Sequence, residues 1–247
     1  MLTIQNVTKR YGGLIAVNDA TMKVQEGRIV ALIGPNGAGK TTLFAMIGGF
    51  VQPDSGTISF LGEDITGRAP HAICRLGLTR TFQIVQPFAG LSVIENIAVG
   101  AHLRHRSRRD ALERAALIAE QVGMGRMLGQ AAESLTVAGR KRLELARALA
   151  TEAKLLLLDE VMAGLIPSEI VEIVAVIRKI RDSGVTVLLI EHVMQAVMSL
   201  SEEAYVLNQG RMIAHGTPQQ LVADPTVIEA YLGHGAAERL KEDSVRA

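Results

Sequence analysis

Tryptophan is absent from the 247-residue chain, aromatic residues make up only 3% of it, and Cys74 is its one cysteine. A core built from this sequence must be aliphatic. The 48% of hydrophobic residues supplies enough for one large α/β domain or two small ones. A single thiol excludes an intrachain disulfide, which fits a reducing compartment. An excess of either charge is missing too. With 26 basic and 25 acidic residues the net charge is +1, so no bulk field draws the chain to nucleic acid or to an anionic membrane. No apolar run approaches the ~18 residues of a membrane span. The longest, Leu155–Leu158 and Val185–Ile190, are strand-sized and end in acids. Met1–Gly13 alternates polar and apolar residues and lacks the continuous apolar segment of a secretion signal. The expectation is a soluble chain that reaches a membrane only through a partner.

What is present centres on Gly34-Pro35-Asn36-Gly37-Ala38-Gly39-Lys40-Thr41-Thr42. It follows the apolar run Ile29–Ile33 and precedes a helical pattern from Thr42 to about Phe50. The segment matches G-x-x-x-x-G-K-[ST] in full, in the strand–loop–helix setting that the motif requires. Its glycines let successive backbone N–H groups turn inward around an anion. The helix that follows points its positive end at the same place. Lys40 reaches the outer phosphates of a nucleotide, and Thr41 offers a hydroxyl to Mg²⁺.

Around this loop the chain reads in order. Leu2–Val7 and Val17–Val24 alternate with period two, as half-buried antiparallel strands do. Tyr11 falls in the loop between them, where stacking on a nucleobase and an ordinary loop tyrosine are equally good readings. A strand is expected over Thr57–Leu61, with turns at Pro53–Gly56 and Gly62–Asp64. A helix over Pro70–Leu76 is closed by Gly77. Leu78–Gln83 is a strand that ends in a glutamine and enters a loop. Ser92-Val93-Ile94-Glu95 is a capping box that opens a helix. The basic run Arg104–Arg109 has no interleaved aromatics and reads as solvated surface. Asp110–Val122 is helical again. The small-residue turn Ser134–Gly139 leads into an amphipathic helix, Arg140–Ala150.

The stretch from Thr42 to Leu155 far exceeds the dozen or so residues of a single crossover. A helical subdomain inserted into the sheet, at about 78–150, is the economical reading. Leu155–Leu158 reads as a buried parallel strand ending in Asp159-Glu160, on the rim where such sheets bind ligands. There Asp159 would hold Mg²⁺, and Glu160 would orient and deprotonate the attacking water. A helix over Ser168–Asp182 leads to the strand Val185–Ile190. Its end, Glu191-His192, puts His192 on the same rim, placed to sense a phosphate. Ala204–Leu207 and Arg211–Ala214 pair as strands. Thr217 caps a further helix, Asp224-Pro225 opens the last one, and the charged tail 236–247 is expected to fray.

Taken together, these segments resemble the ATP-binding subunit of ABC transporters, from Met1 to about Gly233. Tyr11 looks like the A-loop tyrosine, Gly34–Thr42 like Walker A and Gln83 like the Q-loop glutamine. Leu135–Arg142 looks like the signature segment and Leu155–Glu160 like Walker B with its glutamate. Ala163–Pro167 looks like the D-loop, and His192 like the switch histidine.

The resemblance implies an α/β P-loop NTPase cassette as one domain over 1–235. Its mainly parallel, RecA-like sheet core would carry an N-terminal antiparallel β subdomain and an inserted α-helical subdomain. It implies ATP and Mg²⁺ as cofactors and Glu160, His192, Gln83 and Lys40 as catalytic residues. The nucleotide would be held by Tyr11, by Gly34, Pro35, Asn36, Gly37, Ala38, Gly39, Lys40, Thr41 and Thr42, and by Thr136, Ala138 and Gly139 of a facing subunit. The metal would be held by Thr41, Gln83 and Asp159. Two subunits would face head to tail. Closure on ATP would pull on transmembrane permease subunits through the Gln83 loop and the helical subdomain. The chain would lie peripherally on the cytoplasmic face of the inner or plasma membrane, with a solute-binding protein as an indirect partner and no nucleic acid.

Gly164-Leu165, Ile190-Glu191-His192-Val193-Met194 and the ending Gly216-Thr217-Pro218 … Ala230-Tyr231-Leu232-Gly233 look like the branched-chain amino acid import subgroup. Subunits for urea, short amides or lipopolysaccharide look similar. The sequence also departs from the family. The signature, usually Leu-Ser-Gly-Gly-Gln, reads Leu135-Thr136-Val137-Ala138-Gly139, so a methyl group replaces a glycine where a phosphate approaches. Val161 stands in place of a proline, and Ile166 in place of a polar D-loop residue. A partner with a regular signature would complete this chain's own site, which favours a heterodimer slightly over a homodimer. Two alternatives stay open: an ABC-type ATPase of translation or DNA maintenance, and a weakly hydrolysing regulatory subunit.

Overall fold

The computed structural model describes residues 1–82 and 86–232. Gln83 and the tail 236–247 lie outside the described residues. The apolar runs form a six-stranded sheet. Its members are β3 (Ile29–Ile33), β6 (Leu78–Arg80), β7 (Leu155–Asp159), β8 (Thr186–Ile190), β9 (Glu203–Asn208) and β10 (Arg211–Gly216), after β1 (Leu2–Tyr11), β2 (Leu14–Val24), β4 (Ser55–Phe60) and β5 (Glu63–Asp64). The order is β10-β9-β3-β8-β7-β6, parallel except for β10. The other four make an antiparallel sheet in the order β2-β1-β4-β5.

The continuous apolar runs are explained by burial on both faces. Along β3, Ile29, Ala31 and Ile33 enter one core while Val30 and Leu32 enter the other. The same alternation divides Leu156 and Leu158 from Leu155 and Leu157 on β7. One core joins the sheet to the antiparallel sheet and to α1 (Lys40–Ile47), with Phe44 and Phe60 as its large members. The second joins the opposite face to the helices. After α2 (Pro70–Leu76), these are α3 (Val93–Ala101), α4 (Arg108–Gln121), α5 (Val137–Ala150), α6 (Pro167–Asp182) and α7 (Met194–Leu200). The short α8 (Pro218–Val222) and α9 (Pro225–Leu232) close the described chain. Each fully buried leucine or isoleucine contributes roughly 1.5–3 kcal/mol of transfer free energy, so aliphatics suffice where aromatics are scarce.

Several boundaries differ from expectation for local reasons. Tyr11 is not in a loop: it ends β1 and pairs with Leu14 across a Gly12-Gly13 turn. Glu63-Asp64 pairs with β4 instead of only turning. Helix α1 starts at Lys40, two residues early, because Gly39 in the left-handed region already supplies its N-cap. Helix α5 starts at Val137, because the Thr136 hydroxyl accepts the Gly139 N–H. The capping boxes at Ser92 and Thr217, and the glycine closure at Gly77, form as read.

The helical block α3–α5 lies between β6 and β7 in sequence, as the inserted subdomain requires, and shares the second core with the sheet. Its entry is held by Asn96, which is fully buried. The Asn96 Oδ1 accepts from the Phe88 N–H at 2.8 Å, and Nδ2 donates to the carbonyls of Phe88, Leu91 and Ser92. Asn96→Ala strands these backbone groups. We expect a loss of about 1–3 kcal/mol, read as a lowered urea midpoint at unchanged slope.

Candidate nucleotide-binding site

The site begins where β3 ends. Gly34 turns the chain against β9, where a Cβ would lie 1.9 Å from the Leu207 carbonyl oxygen. Gly39 makes the second close approach, with a Cβ position 2.2 Å from the Ala16 carbonyl oxygen. No other residue fits either place. Helix α1 then starts with no side-chain cap and no acid in its first turn, so its N–H groups are left to an anion. Lys40 is only 5% exposed, and its Nζ donates to the carbonyls of Gly34 at 2.7 Å and Pro35 at 2.9 Å. Burial lowers its pKa, and the negative charges of Glu160 and Asp159 oppose that shift.

Tyr11, Asn36, Gly37, Ala38, Gly39, Lys40, Thr41, Thr42, Glu160 and His192 line one cleft of about 480 Å³. Leu14, Ile15 and Gln209 complete its walls. The size suits a small-molecule ligand. Tyr11 is half exposed, with the Lys9 ammonium over its ring, 5.6 Å from the centre.

Glu160 follows β7 with φ +49°, an uncommon conformation for a residue bearing a Cβ. Its N–H donates to the Ile190 carbonyl at 3.0 Å, which ties the turn to β8. Its Oε1 lies 2.6 Å from His192 Nε2. Against an ionised carboxylate that nitrogen must carry the proton, because a carboxylate only accepts. Asp159 lies beneath the cleft at 2% exposure and does not line it. Its Oδ2 accepts from Arg80 Nη2 at 2.7 Å, and its N–H donates to Thr81 Oγ1 at 3.1 Å.

No group of three or more His, Cys, Asp or Glu suited to a metal ion occurs among the described residues. The oxygen donors at hand are the Thr41 hydroxyl and the Asp159 carboxylate, the Glu160 carboxylate being engaged by His192. That sparse oxygen set fits Mg²⁺, which keeps several waters and takes its remaining ligands from nucleotide phosphates.

The structure leaves Thr136, Ala138 and Gly139 outside this cleft. They open α5, where Thr136 is exposed and Ala138 and Gly139 are buried. Beside Thr136, Val137 is 56% exposed.

Three residues escaped the sequence reading of roles. Arg80 is paired with Asp159. Lys141, buried on α5, donates from Nζ to the Glu160 carbonyl at 3.2 Å. Glu191, 2% exposed, accepts the Met162 N–H at 3.0 Å and so braces the loop that follows Glu160. Burial pushes the Glu191 carboxyl up to about 7; backbone donors from Met162 and His192 and the Lys141 charge pull the other way. An acid preceding a histidine at the end of a strand that is apolar apart from Thr186 was the available signal.

The class that this fold and cleft define is the phosphate-loop nucleotide-binding cassette. Within it, the chain belongs to the ATP-binding family of ABC transporters and is an ATP-hydrolysing subunit: the ABC transporter family matches residues 17–163. A second family description, the branched-chain amino acid ATP-binding cassette transporter, matches residues 211–237. The chain is 44% identical to the high-affinity branched-chain amino acid transport ATP-binding protein BraF of Pseudomonas aeruginosa, covering 94% of this chain and 98% of that one. It is 40% identical, with the same coverage, to LivG of Escherichia coli, which carries the same description. It is also 38% identical to the E. coli lipopolysaccharide export ATP-binding protein LptB, over 94% of this chain and 97% of that one. Among solved structures, a nucleotide-free ATP-binding cassette from an ABC transporter superposes with a TM-score of 0.86 at 30% identity, over 95% of this chain and 99% of that one.

Two outcomes test this geometry. Lys40→Ala should weaken ATP binding by about 10- to 100-fold in a nucleotide titration, the usual loss for a charged hydrogen bond. Unchanged affinity would remove Lys40 from the phosphate cradle. Glu191 releases its proton near 7 in the fold against 4.5 as a free side chain, so its burial costs stability progressively as pH rises between those values. Glu191→Gln should therefore match wild type at pH 4.5 and exceed it at pH 8 by up to about 3 kcal/mol in denaturant melts.

Proposed function

We propose that the chain powers a membrane importer of branched-chain or related amino acids, and that the residues of the cleft carry ATP hydrolysis in the following way. The observation that carries the proposal is the Glu160–His192 contact in the cleft that holds the phosphate loop. Tyr11 stacks on the base. The loop amides and Lys40 hold the β- and γ-phosphates, for which Lys40 exchanges its contacts to Gly34 and Pro35. Thr41 and Asp159, with Gln83 from outside the described residues, hold Mg²⁺, which supplies charge neutralisation on the phosphates. Glu160 takes the proton from the attacking water, and the His192 Nε2–H fixes the orientation of its carboxylate.

The signature residues Thr136, Ala138 and Gly139 serve the site of a second cassette. The Thr136 oxygen accepts the Gly139 N–H, so its own proton is left to donate to a phosphate. A second subunit with a regular signature would complete this chain's own site, and this slightly favours a different subunit over another copy; Val137 and Ile166, the departures from the family pattern, are 56% and 59% exposed. The remaining partners are transmembrane permease subunits and, indirectly, a solute-binding protein. No helix among the described residues is long and apolar enough to cross a membrane. The proposed location is peripheral, on the cytoplasmic face of the inner or plasma membrane. The amino-acid reading rests on the BraF and LivG relatives and on the C-terminal family match. The LptB relative supports lipopolysaccharide export as the second reading.

The test is Glu160→Gln in the assembled transporter. The variant should bind ATP and hydrolyse it at least ~100-fold more slowly, as loss of a general base implies. Equal rates would place the base elsewhere. Uptake of labelled leucine into vesicles carrying the assembly separates import of amino acids from export of lipid.

A further inference from the structure

We infer that Arg80 is a positioning residue for the metal-holding acid: it fixes the direction of the Asp159 carboxylate and thereby sets how strongly Mg²⁺ supports nucleotide binding. The inference rests on the ATPase reading given above. Arg80 ends β6, the edge strand beside β7, and stands opposite Leu157. Its Nη2 donates to Asp159 Oδ2 at 2.7 Å, with the two side chains 11% and 3% exposed. The next residue repeats the attachment. The Thr81 Oγ1 accepts the Asp159 N–H at 3.1 Å, and the Thr81 N–H donates to the Leu157 carbonyl at 2.9 Å. The guanidinium is itself fixed, 5.7 Å from the centre of the Phe50 ring and 6.0 Å from that of Phe82, two rings packed edge to face. The Phe82 N–H is bound by the Glu144 carboxylate of α5.

Arg80 binds Asp159 Oδ2 in a fixed direction, and the Thr81 hydroxyl holds the backbone N–H of the same residue. The carboxylate is thereby aimed before any metal arrives, and its other oxygen would serve Mg²⁺ when the metal is bound. The arrangement suits arginine, whose flat guanidinium stacks on rings while it donates in plane. A lysine keeps the charge and loses the stacking.

The experiment measures the affinity of the purified full chain for a non-hydrolysable ATP analogue, in EDTA and across a Mg²⁺ titration. The variants are Arg80→Ala, Arg80→Gln, Arg80→Lys and Asp159→Asn, with thermal melts of the nucleotide-free proteins alongside. In Arg80→Ala and Arg80→Gln the metal-free affinity should stay within about twofold of wild type. The Mg²⁺ concentration at half-effect should rise at least about fivefold, and Arg80→Lys should recover part of the loss. Asp159→Asn alone should raise the Mg²⁺ requirement at least as much, and joining it to either Arg80 variant should cost less than the sum of the two single losses, because the two residues act as a unit. Lower melting temperature with an unaltered Mg²⁺ response would overturn the inference and leave Arg80 a structural ion pair. Tighter Mg²⁺ binding in Arg80→Ala would also overturn it, since Arg80 would then be a rival of the metal. A wild-type chain that binds the analogue with no gain from Mg²⁺ would instead sink the metal reading of Asp159, and the inference with it.

Discussion

The parallel register of β3, β8 and β7 is the constraint on which the site depends. Leu32 of β3 and Asp159 of β7 both stand level with Ile190 of β8. The three strands therefore finish on one line, and the residues one or two steps beyond them, among them Gly34, Glu160 and His192, emerge at a single rim. No contact between these side chains is needed to gather them. Backbone hydrogen bonds between apolar strands do it, and they persist because both faces of the sheet are covered. Loops then have little to decide beyond the last few ångströms.

Those last few ångströms carry the unfavourable terms. Glu160 takes a left-handed backbone conformation at a cost of order 1–3 kcal/mol. Glu191 is buried as an acid behind it, and Lys40 is desolvated beside its own loop carbonyls. Each departure sits within the rim, and each is braced from a different element: Glu160 by Ile190 and Lys141, Glu191 by Met162, Lys40 by Gly34 and Pro35. The two aliphatic cores offset what the rim spends. Their near-complete exclusion of water also keeps the charges of the rim poorly screened, so that one proton or one cation shifts several neighbours together.

The cleft gathers the phosphate loop, the glutamate and the histidine, while Thr136 and Val137, exposed at the head of α5, do not line it. Lys141 nevertheless ties the same helix to the Glu160 carbonyl. The helix that begins at the signature residues is therefore joined directly to the backbone at Glu160. The Phe82–Glu144 contact adds a second tie between α5 and the edge strand that carries Arg80.

Motif and period alone located the phosphate loop, the acids at the end of β7, the histidine after β8 and the mainly parallel sheet. Each is written in contiguous residues: glycines where the backbone must approach closely, apolar runs of strand length, and polar residues that end them. The capping boxes at Ser92 and Thr217 were legible for the same reason. Tyr11 was placed in a loop because a two-residue glycine turn looks longer than it is from the sequence, and only the Tyr11–Leu14 pairing fixed it at the end of a strand. The Arg80–Asp159 pair, the brace from Glu191 and the reach of Lys141 to Glu160 join residues distant along the chain. Nothing local distinguishes Arg80 from any other arginine. It gains its partner only when β6 adds to the sheet edge beside β7, and that neighbour relation exists in the fold and nowhere in the order of the residues.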